Sequence, residues 1–508
     1  MSFQLETYPA KFNLENLKKK SSASEIYGNR FHADQTLYEY LIEFLLIFVS
    51  SDHNGTNSKE AFCFHNPEAV GNIYYDVQPR MGLRRFIFLD KNVKNDASQI
   101  DRDAYEKLLC ALKKKIDGYE DEEKTEILES LQDLLHGYAV ILKKRTWCAQ
   151  AILPLCPELI FCEAMPAKNK RNKLSWEVDI KNDDTKRLID EQFDFDKRNF
   201  LARGGELYYL HILQGLQGRS DKKILLEKLL RDQLIERGKK FSTIANFVQD
   251  TWEEYMGYEG HPIKRMPISF IPENAYKSIA DDSVDELINY MSCRMHPVKK
   301  IELLAKGVML QILRMLSVGT SNYLGQSREC WVVDMGGLDG KAVKMIAANS
   351  FTRLQGIFTT AIGKSVSAES SDERLKQIRK AKKDSFDIFK SKGKELQFII
   401  PKSGPYERFS LPEDCIRFLV TSLIAPQQKM TIDRFLEVLY EKYRIIIGPN
   451  QYKKMSNTVE DIDDTLANSF EANVKAFQNF LKATGFLREL SDATSIVTNP
   501  YEDLKGEL

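Results

Sequence analysis

The stretch HPVKKIELLAKGVMLQILRMLSV, His296 to Val318, decides how this chain reads. His296-Pro297 marks a helix start, because proline is favoured at the first helical position. Beyond it, Ile301, Leu304, Val308, Leu310, Ile312, Leu313, Leu316 and Val318 recur at three- and four-residue steps. That spacing predicts a helix with a wide buried face. Lys299, Lys300, Glu302, Lys306 and Arg314 interrupt it too often for a membrane span, so it reads as a core helix. The sequence predicts a loop over Gly319–Ser327, a strand over Cys330-Trp331-Val332-Val333 and a second helix over Ala342–Thr360. Between strand and helix lies Asp334-Met335-Gly336-Gly337-Leu338-Asp339-Gly340-Lys341. A strand, an acid, a glycine turn and a helix can hold phosphate or metal, since glycines admit close backbone approach and a helix N-terminus attracts anions. The same pattern also serves as a tight connection needing positive φ at glycine.

Working outward, the 508 residues are enough for two to four domains at roughly 100–200 residues each. The 43% hydrophobic content supports sizeable cores. Lys plus Arg equals Asp plus Glu, 73 each, so any affinity for nucleic acid must come from local patches. The cysteines at 63, 110, 148, 156, 162, 293, 330 and 415 form no CxxC pair, which argues against a zinc ribbon or a disulfide framework. The first twenty residues lack an apolar signal core, and Leu41–Val49 is too short to cross a bilayer. A cytoplasmic protein without a membrane role is expected.

The expected fold class is mainly α with minor β (α+β), a multi-domain helical protein with a C-terminal winged-helix-like module. Residues 1–182 read as an α+β domain. It has helices over Thr36–Ser50, Asp103–Ile116 and Asp121–Cys148 and a short strand over Arg84–Asp90. It ends in a hairpin of Leu159–Cys162 and Leu174–Ile180 around the basic loop Lys168–Lys173. Residues 183–362 form a central helical domain, with helices over Glu206–Gln217, Lys222–Arg237 and Ser242–Met256. An irregular connection over Gly257–Pro272 follows, and then the opening stretch. Residues 363–400 form a basic linker or helix, with Gly363–Ser371 small and polar. Arg374–Lys394 carries nine basic residues against Asp384 and Asp387.

Residues 401–508 have the clearest pattern: helices over Leu411–Leu423, from Thr431 and over Leu466–Thr484, then strands over Phe486–Leu490 and Thr494–Thr498. Three helices closed by a hairpin make a winged helix-turn-helix. Such modules bind DNA when strongly basic and otherwise mediate protein contacts. Clustered Lys and Arg are what phosphate-backbone contact requires. The candidate nucleic-acid-binding residues are therefore Arg374, Lys376, Arg379, Lys380, Lys382 and Lys383, with Lys475 and Lys482 on the third helix and Arg488 on the wing.

Catalytic motifs are scarce. Gly363-Lys364-Ser365 lacks the P-loop's first glycine, because Phe358 stands where it should be. Glu158, Asp179 and Lys181 have the spacing of PD-(D/E)xK nucleases, in which two carboxylates hold Mg²⁺ and a lysine helps activate water. None of the seven histidines is paired at metal-ligand spacing, and no GxSxG or HExxH occurs. No cofactor is expected.

The C-terminal residues Phe409-Ser410-Leu411, Lys429–Phe435, Phe480–Leu487 and Leu490-Ser491-Asp492 resemble accessory subunits of prokaryotic phage-defence operons, the Dnd-associated DptG-like family. The resemblance covers about a fifth of the chain. It implies a non-enzymatic partner of an ATPase or nuclease and carries no residue-level motif. The first expectation for function is thus a non-catalytic subunit of a cytoplasmic complex acting on nucleic acid, whose partners are other subunits and DNA. The alternatives are a metal-dependent nuclease using Glu158, Asp179 and Lys181, and a nucleotide-binding regulator using Asp334–Lys341.

Overall fold

The computed structural model describes residues 5–13, 22–29, 31, 35–50, 62–89, 99–141, 147, 150–161, 203–258, 264–337, 340–367, 370–456, 463–489 and 495–506. The protein is mainly helical with small sheets.

The N-terminal part begins with β1 (Thr7–Tyr8), α1 (Ala23–Tyr27) and α2 (Leu37–Phe48). The expected helix at Thr36–Ser50 is present, opened by a capping box in which the Glu39 carboxylate accepts from Thr36 N at 2.7 Å. β2 (Tyr74–Val77) leads into α3 (Met81–Phe88), in place of the strand expected over Arg84–Asp90. The β-prone run Phe86-Ile87-Phe88 is overruled by tertiary contacts. Arg85 is fully buried over the rings of Trp252 (5.1 Å) and Trp147 (5.8 Å) and pairs with Asp101 at 3.3 Å. Arg84 lies over Phe161, and Gly82 lets the α3 backbone sit directly on Trp252.

α4 (Gln99–Lys114) and α5 (Asp121–His136) form a helical hairpin. The second helix, expected to reach Cys148, ends at His136. Tyr138 O instead accepts Leu153 N at 3.0 Å, and β3 (Ala139–Ile141) pairs with β4 (Ala151–Ile152). Pro157–Leu159 is a 3₁₀ turn closed by Ile160 N donating to Pro157 O, which corrects the strand expected at Leu159–Cys162. The expected partner strand at Leu174–Ile180 lies outside the described residues.

α6 (Arg203–Gly215), α7 (Ser220–Arg231) and α8 (Lys239–Met256) match the three expected helices, with a π turn at Asp232–Glu236. The connection expected to be irregular contains β5 (Lys264–Pro267) and β6 (Ile271–Pro272). These pair with β2 and β1, so their prolines sit in two-stranded ribbons that tolerate a missing donor. α9 (Lys277–Ser292) follows.

α10 (Pro297–Leu324) is the axis of the molecule. It is buried on every side along most of its length, packs on α1, α2 and helices that follow it, and is hydrogen-bonded to α9. It does not stop at Gly319 as expected. Gly319 lies under the Tyr276 and Tyr27 rings, where any side chain would crowd them, and Thr320 Oγ1 bonds Leu316 O and Tyr27 Oη. The helix ends instead at Gly325, whose φ of 68° is the left-handed cap that glycine favours.

β7 (Trp331–Val332) and α11 (Lys341–Ser365) follow, then α12 (Ser371–Lys383) and α13 (Phe386–Glu395). Gly363–Ser365 belongs to α11, not to a linker. α13 is core: Phe386 and Phe389 pack on Phe358, and Phe389 on Trp331. β8 (Ile399–Ile400) and β9 (Arg408–Phe409) make a hairpin against the same aromatics.

The C-terminal elements are α14 (Glu413–Leu423), β10 (Lys429–Thr431), α15 (Ile432–Tyr443), β11 (Ile445–Ile446), α16 (Pro449–Ser456), α17 (Asp464–Ala483), β12 (Leu487–Glu489) and β13 (Ser495–Thr498). Thr431 Oγ1 caps α15 by accepting Arg434 N. β13 lies between β10 and β12, both antiparallel to it. β11 pairs in parallel with β7, more than a hundred residues earlier. Gly307 lies flat under the Phe418 ring, which seats α14 on α10. One buried cluster runs from Tyr8 to Leu504, and a smaller one under β7 and β11 joins Val332, Val343, Ile446 and Phe470.

Candidate nucleic-acid interface

α12 touches the rest of the fold lightly. Ala381 is its one buried residue, and Arg374, Lys376, Arg379, Lys380, Lys382 and Lys383 are all exposed. Ser370 caps it by accepting Glu373 N at 3.3 Å, and Asp372 and Glu373 in the first turn suit the helix dipole. The basic residues therefore gather towards its far end. Arg374 also closes α11 by donating to Gly363 O at 3.3 Å, so it has a structural duty as well.

A line of ion pairs continues beyond α12. Lys382 faces Asp387 at 4.0 Å on α13, and Lys390 and Lys394 of α13 hold Glu407 on the β8–β9 hairpin. These pairs trace one path from the end of α12 along α13, about 15 Å at ~1.5 Å per residue, to the hairpin. The sequence alone marks the α12 residues and leaves the hairpin unmarked. Its one signal is Lys402-Ser403-Gly404-Pro405-Tyr406, a turn with one cation and one aromatic.

Lys475 and Lys482 lie on α17 and Arg488 on β12, elements apart from α12 and α13. α17 meets the start of α11, where Val343 N donates to Ser469 Oγ at 3.4 Å, whereas α12 meets its end. Some twenty helical residues, roughly 30 Å, separate the two places. Lys482 is paired with Glu489 at 2.7 Å. Lys475 lines a cleft of about 310 Å³ between α15, α16 and α17, together with Asp433 and Glu471. The third helix is thus no basic stripe.

The other candidates are placed as follows. Glu158 sits on the 3₁₀ turn, accepts from Asn246 Nδ2 at 3.3 Å and lies beside Arg80, which donates to Pro157 O. Asp179 and Lys181 lie outside the described residues. Among the described residues no group of His, Cys, Asp and Glu is arranged to hold a metal. Asp334 is buried and both its oxygens are engaged. Oδ1 accepts Gly336 N and Oδ2 accepts Arg408 Nε, each at 2.8 Å. Gly337 lies against the α17 backbone at Ala472. Gly337 is thereby covered by α17, and Asp334 is neutralised by Arg408.

The sequence gives no sign of the polar network inside the molecule. Arg314 on α10 donates to Glu286 Oε1 at 2.9 Å and to Ser283 Oγ at 2.7 Å on α9, and lies over the Tyr443 ring. Tyr443 Oη and Gln311 Nε2 both donate to Glu286 Oε2. His211 Nε2 of α6 is 2.7 Å from Ser283 Oγ, the geometry of a nucleophile and its base. Both residues are fully buried, however, so substrate has no access and the pair is structural. Burial, with the Arg314 charge nearby, pushes the His211 pKa down to about 3.

The unfolded chain takes up this proton near pH 6.5 and the folded one only near 3. Stability from His211 is therefore complete above pH 6.5 and lost as pH falls, at up to about 1.4 kcal/mol per unit. His211→Gln, neutral throughout, should flatten the fall in the urea midpoint between pH 6.5 and 4.5. Equal slopes for the two proteins would show that His211 is not the neutral group.

No family model matches the sequence, no curated protein is significantly similar to it, and no solved structure matches the fold.

Proposed function

We propose that this protein is a non-catalytic subunit of a multiprotein assembly acting on nucleic acid, and that it contacts the phosphate backbone through α12 and α13. The observation that carries the reading is the exposed basic face of α12, held on the fold by Ala381, the partly buried Ile378 and the Arg374 cap. A chain with no net charge gathers Arg374, Lys376, Arg379, Lys380, Lys382 and Lys383 on this one short helix.

The C-terminal order α14, β10, α15, α17, β12, β13 fits a winged-helix-like module, with β11 and α16 inserted before the third helix. One face of that helix is taken by α11 and the β7–β11 strands. Its open side carries Glu471 beside Lys475 and faces Asp433 of α15. This favours a protein-docking role for the module. The resemblance of its sequence to DptG-like subunits supports a prokaryotic phage-defence setting in the cytoplasm, with an ATPase or nuclease as partner. Among the described residues no helix is long and apolar enough to cross a membrane.

The test is fluorescence anisotropy of a labelled single-stranded oligonucleotide over a salt series. Replacing Arg379, Lys380, Lys382 and Lys383 together by Glu should weaken binding more than tenfold at low salt. It should also reduce the slope of log K against log salt by about 0.7 for each phosphate that is no longer neutralised. These side chains are exposed, so the unfolding midpoint should barely move. Salt-independent binding, or none by the native protein, overturns the reading.

A further inference from the structure

The tip of the β8–β9 hairpin presents an aromatic ring that nothing in the fold uses. Tyr406 is 82% exposed, the most exposed large hydrophobic side chain among the described residues. Its φ is 62°, in the left-handed region that a bulky residue rarely adopts. The residues around it are firmly held. Glu407 receives Lys390 at 2.8 Å and also Lys394, Arg408 is tied to the buried Asp334, and Phe409 packs on Trp331. The hairpin therefore has a rigid base and a raised tip, 402–406, that is exposed throughout. An aromatic residue kept in a strained conformation, where glycine or asparagine would fit without cost, points to a use for the ring.

The surroundings indicate what the ring meets. Lys402 stands on the same tip without a carboxylate beside it in sequence, Lys390 and Lys394 share Glu407, and the line of lysines, paired in part with Asp387 and Glu395, leads back to the basic end of α12. Cations that track a backbone, with an aromatic face at the end of the track, are the combination that binds unpaired nucleotides. A duplex keeps its base faces stacked and offers such a ring little. An acidic protein segment would use the lysines but not the exposed ring face.

We propose that Tyr406 is a stacking platform for an unpaired base of a single-stranded nucleic acid whose phosphates lie along the lysines of α12 and α13. The proposal rests on the reading of α12 as a nucleic-acid surface and adds the kind of nucleic acid and the residue that selects it.

Tyr406→Gly separates a structural role from a binding role. Glycine accepts a φ of 62°, so the variant should melt at the native temperature or above. Its affinity for a single-stranded oligonucleotide should nevertheless fall roughly tenfold or more. An abasic oligonucleotide of equal length should bind native and variant alike, and a duplex should show no Tyr406 dependence. Tyr406→Trp should bind as the native protein does, and its added emission should be quenched by the oligonucleotide but not by the abasic one. If Tyr406→Gly binds the oligonucleotide as tightly as native while the α12 charge reversal abolishes binding, the stacking proposal fails and the α12 reading stands. If the native protein binds no oligonucleotide at all, both fail.

Discussion

Glu286→Ala should lower the stability of the protein by about 3–5 kcal/mol, the cost of leaving a buried charge without its partner. Arg314 is fully buried, and burial works against its charge while Glu286 restores it. Without that carboxylate the guanidinium keeps Ser283 Oγ, a distant carbonyl at Lys442, the Tyr443 ring and the more remote charge of Asp282. Tyr443 and Gln311 lose an acceptor at the same time. The effect is large because four elements, α6, α9, α10 and α15, meet at this one carboxylate and its neighbours. Urea unfolding checks it. A loss under about 1 kcal/mol would mean that water reaches the site and solvates Arg314.

The double variant Glu286→Leu with Arg314→Met decides whether the pair itself stabilises the fold. Buried ion pairs often contribute little net, because desolvation offsets their attraction. Removing both charges should recover much of the single-variant loss. The remainder measures the bonds that Ser283, Tyr443 and Gln311 lose, since Ser283 keeps Ile279 O and His211, and Gln311 keeps Tyr443 Oη.

Much of the helical frame is legible because its signals are local. Pro297, Thr36 and Thr431 mark starts, Gly485 marks an end, and three-and-four spacing carries the helices between. Misreadings arise where a distant residue decides the local outcome. Phe86-Ile87-Phe88 favours a strand on propensity, but Trp252 and Trp147 cover Arg85 and hold the segment helical. Gly319 looks like a stop and is instead the space two tyrosine rings occupy. The candidate interface is half legible. Clustered Lys and Arg mark α12 in one dimension. The link from α13 to the hairpin depends on Lys390 and Lys394 meeting Glu407, a pairing that no sequence window contains.

Asn473 shows the same dependence on distance, and its replacement should have the second large effect. This residue of α17 is almost completely buried. Nδ2 donates to Val333 O and Ile447 O, both at 2.9 Å, and Oδ1 accepts Met335 N at 2.8 Å. All its hydrogen bonds are spent where the parallel strands β7 and β11 end, so it ties α10's outgoing chain to the C-terminal module. Asn473→Asp keeps the shape and the acceptor but removes both donors. Two buried carbonyls then lack partners and face a carboxylate, a loss on the order of 2–6 kcal/mol at ~1–3 each.

The variant should also acquire a pH dependence that the native residue cannot have. Burial and the facing carbonyls disfavour the charged form, so the new carboxyl should titrate above the ~3.9 of the unfolded chain. Its protonated form donates one of the missing bonds. The relative stability it contributes is therefore present below pH ~3.9 and lost as pH rises through the raised folded value. The deficit against native protein should be smaller at pH 5 than at pH 7.5 in urea unfolding. A deficit independent of pH would mean that the aspartate stays ionised and has turned out of the strand ends. In that case the β7–β11 junction must itself have opened, because α11, α17 and the two strands leave no other place for a charge.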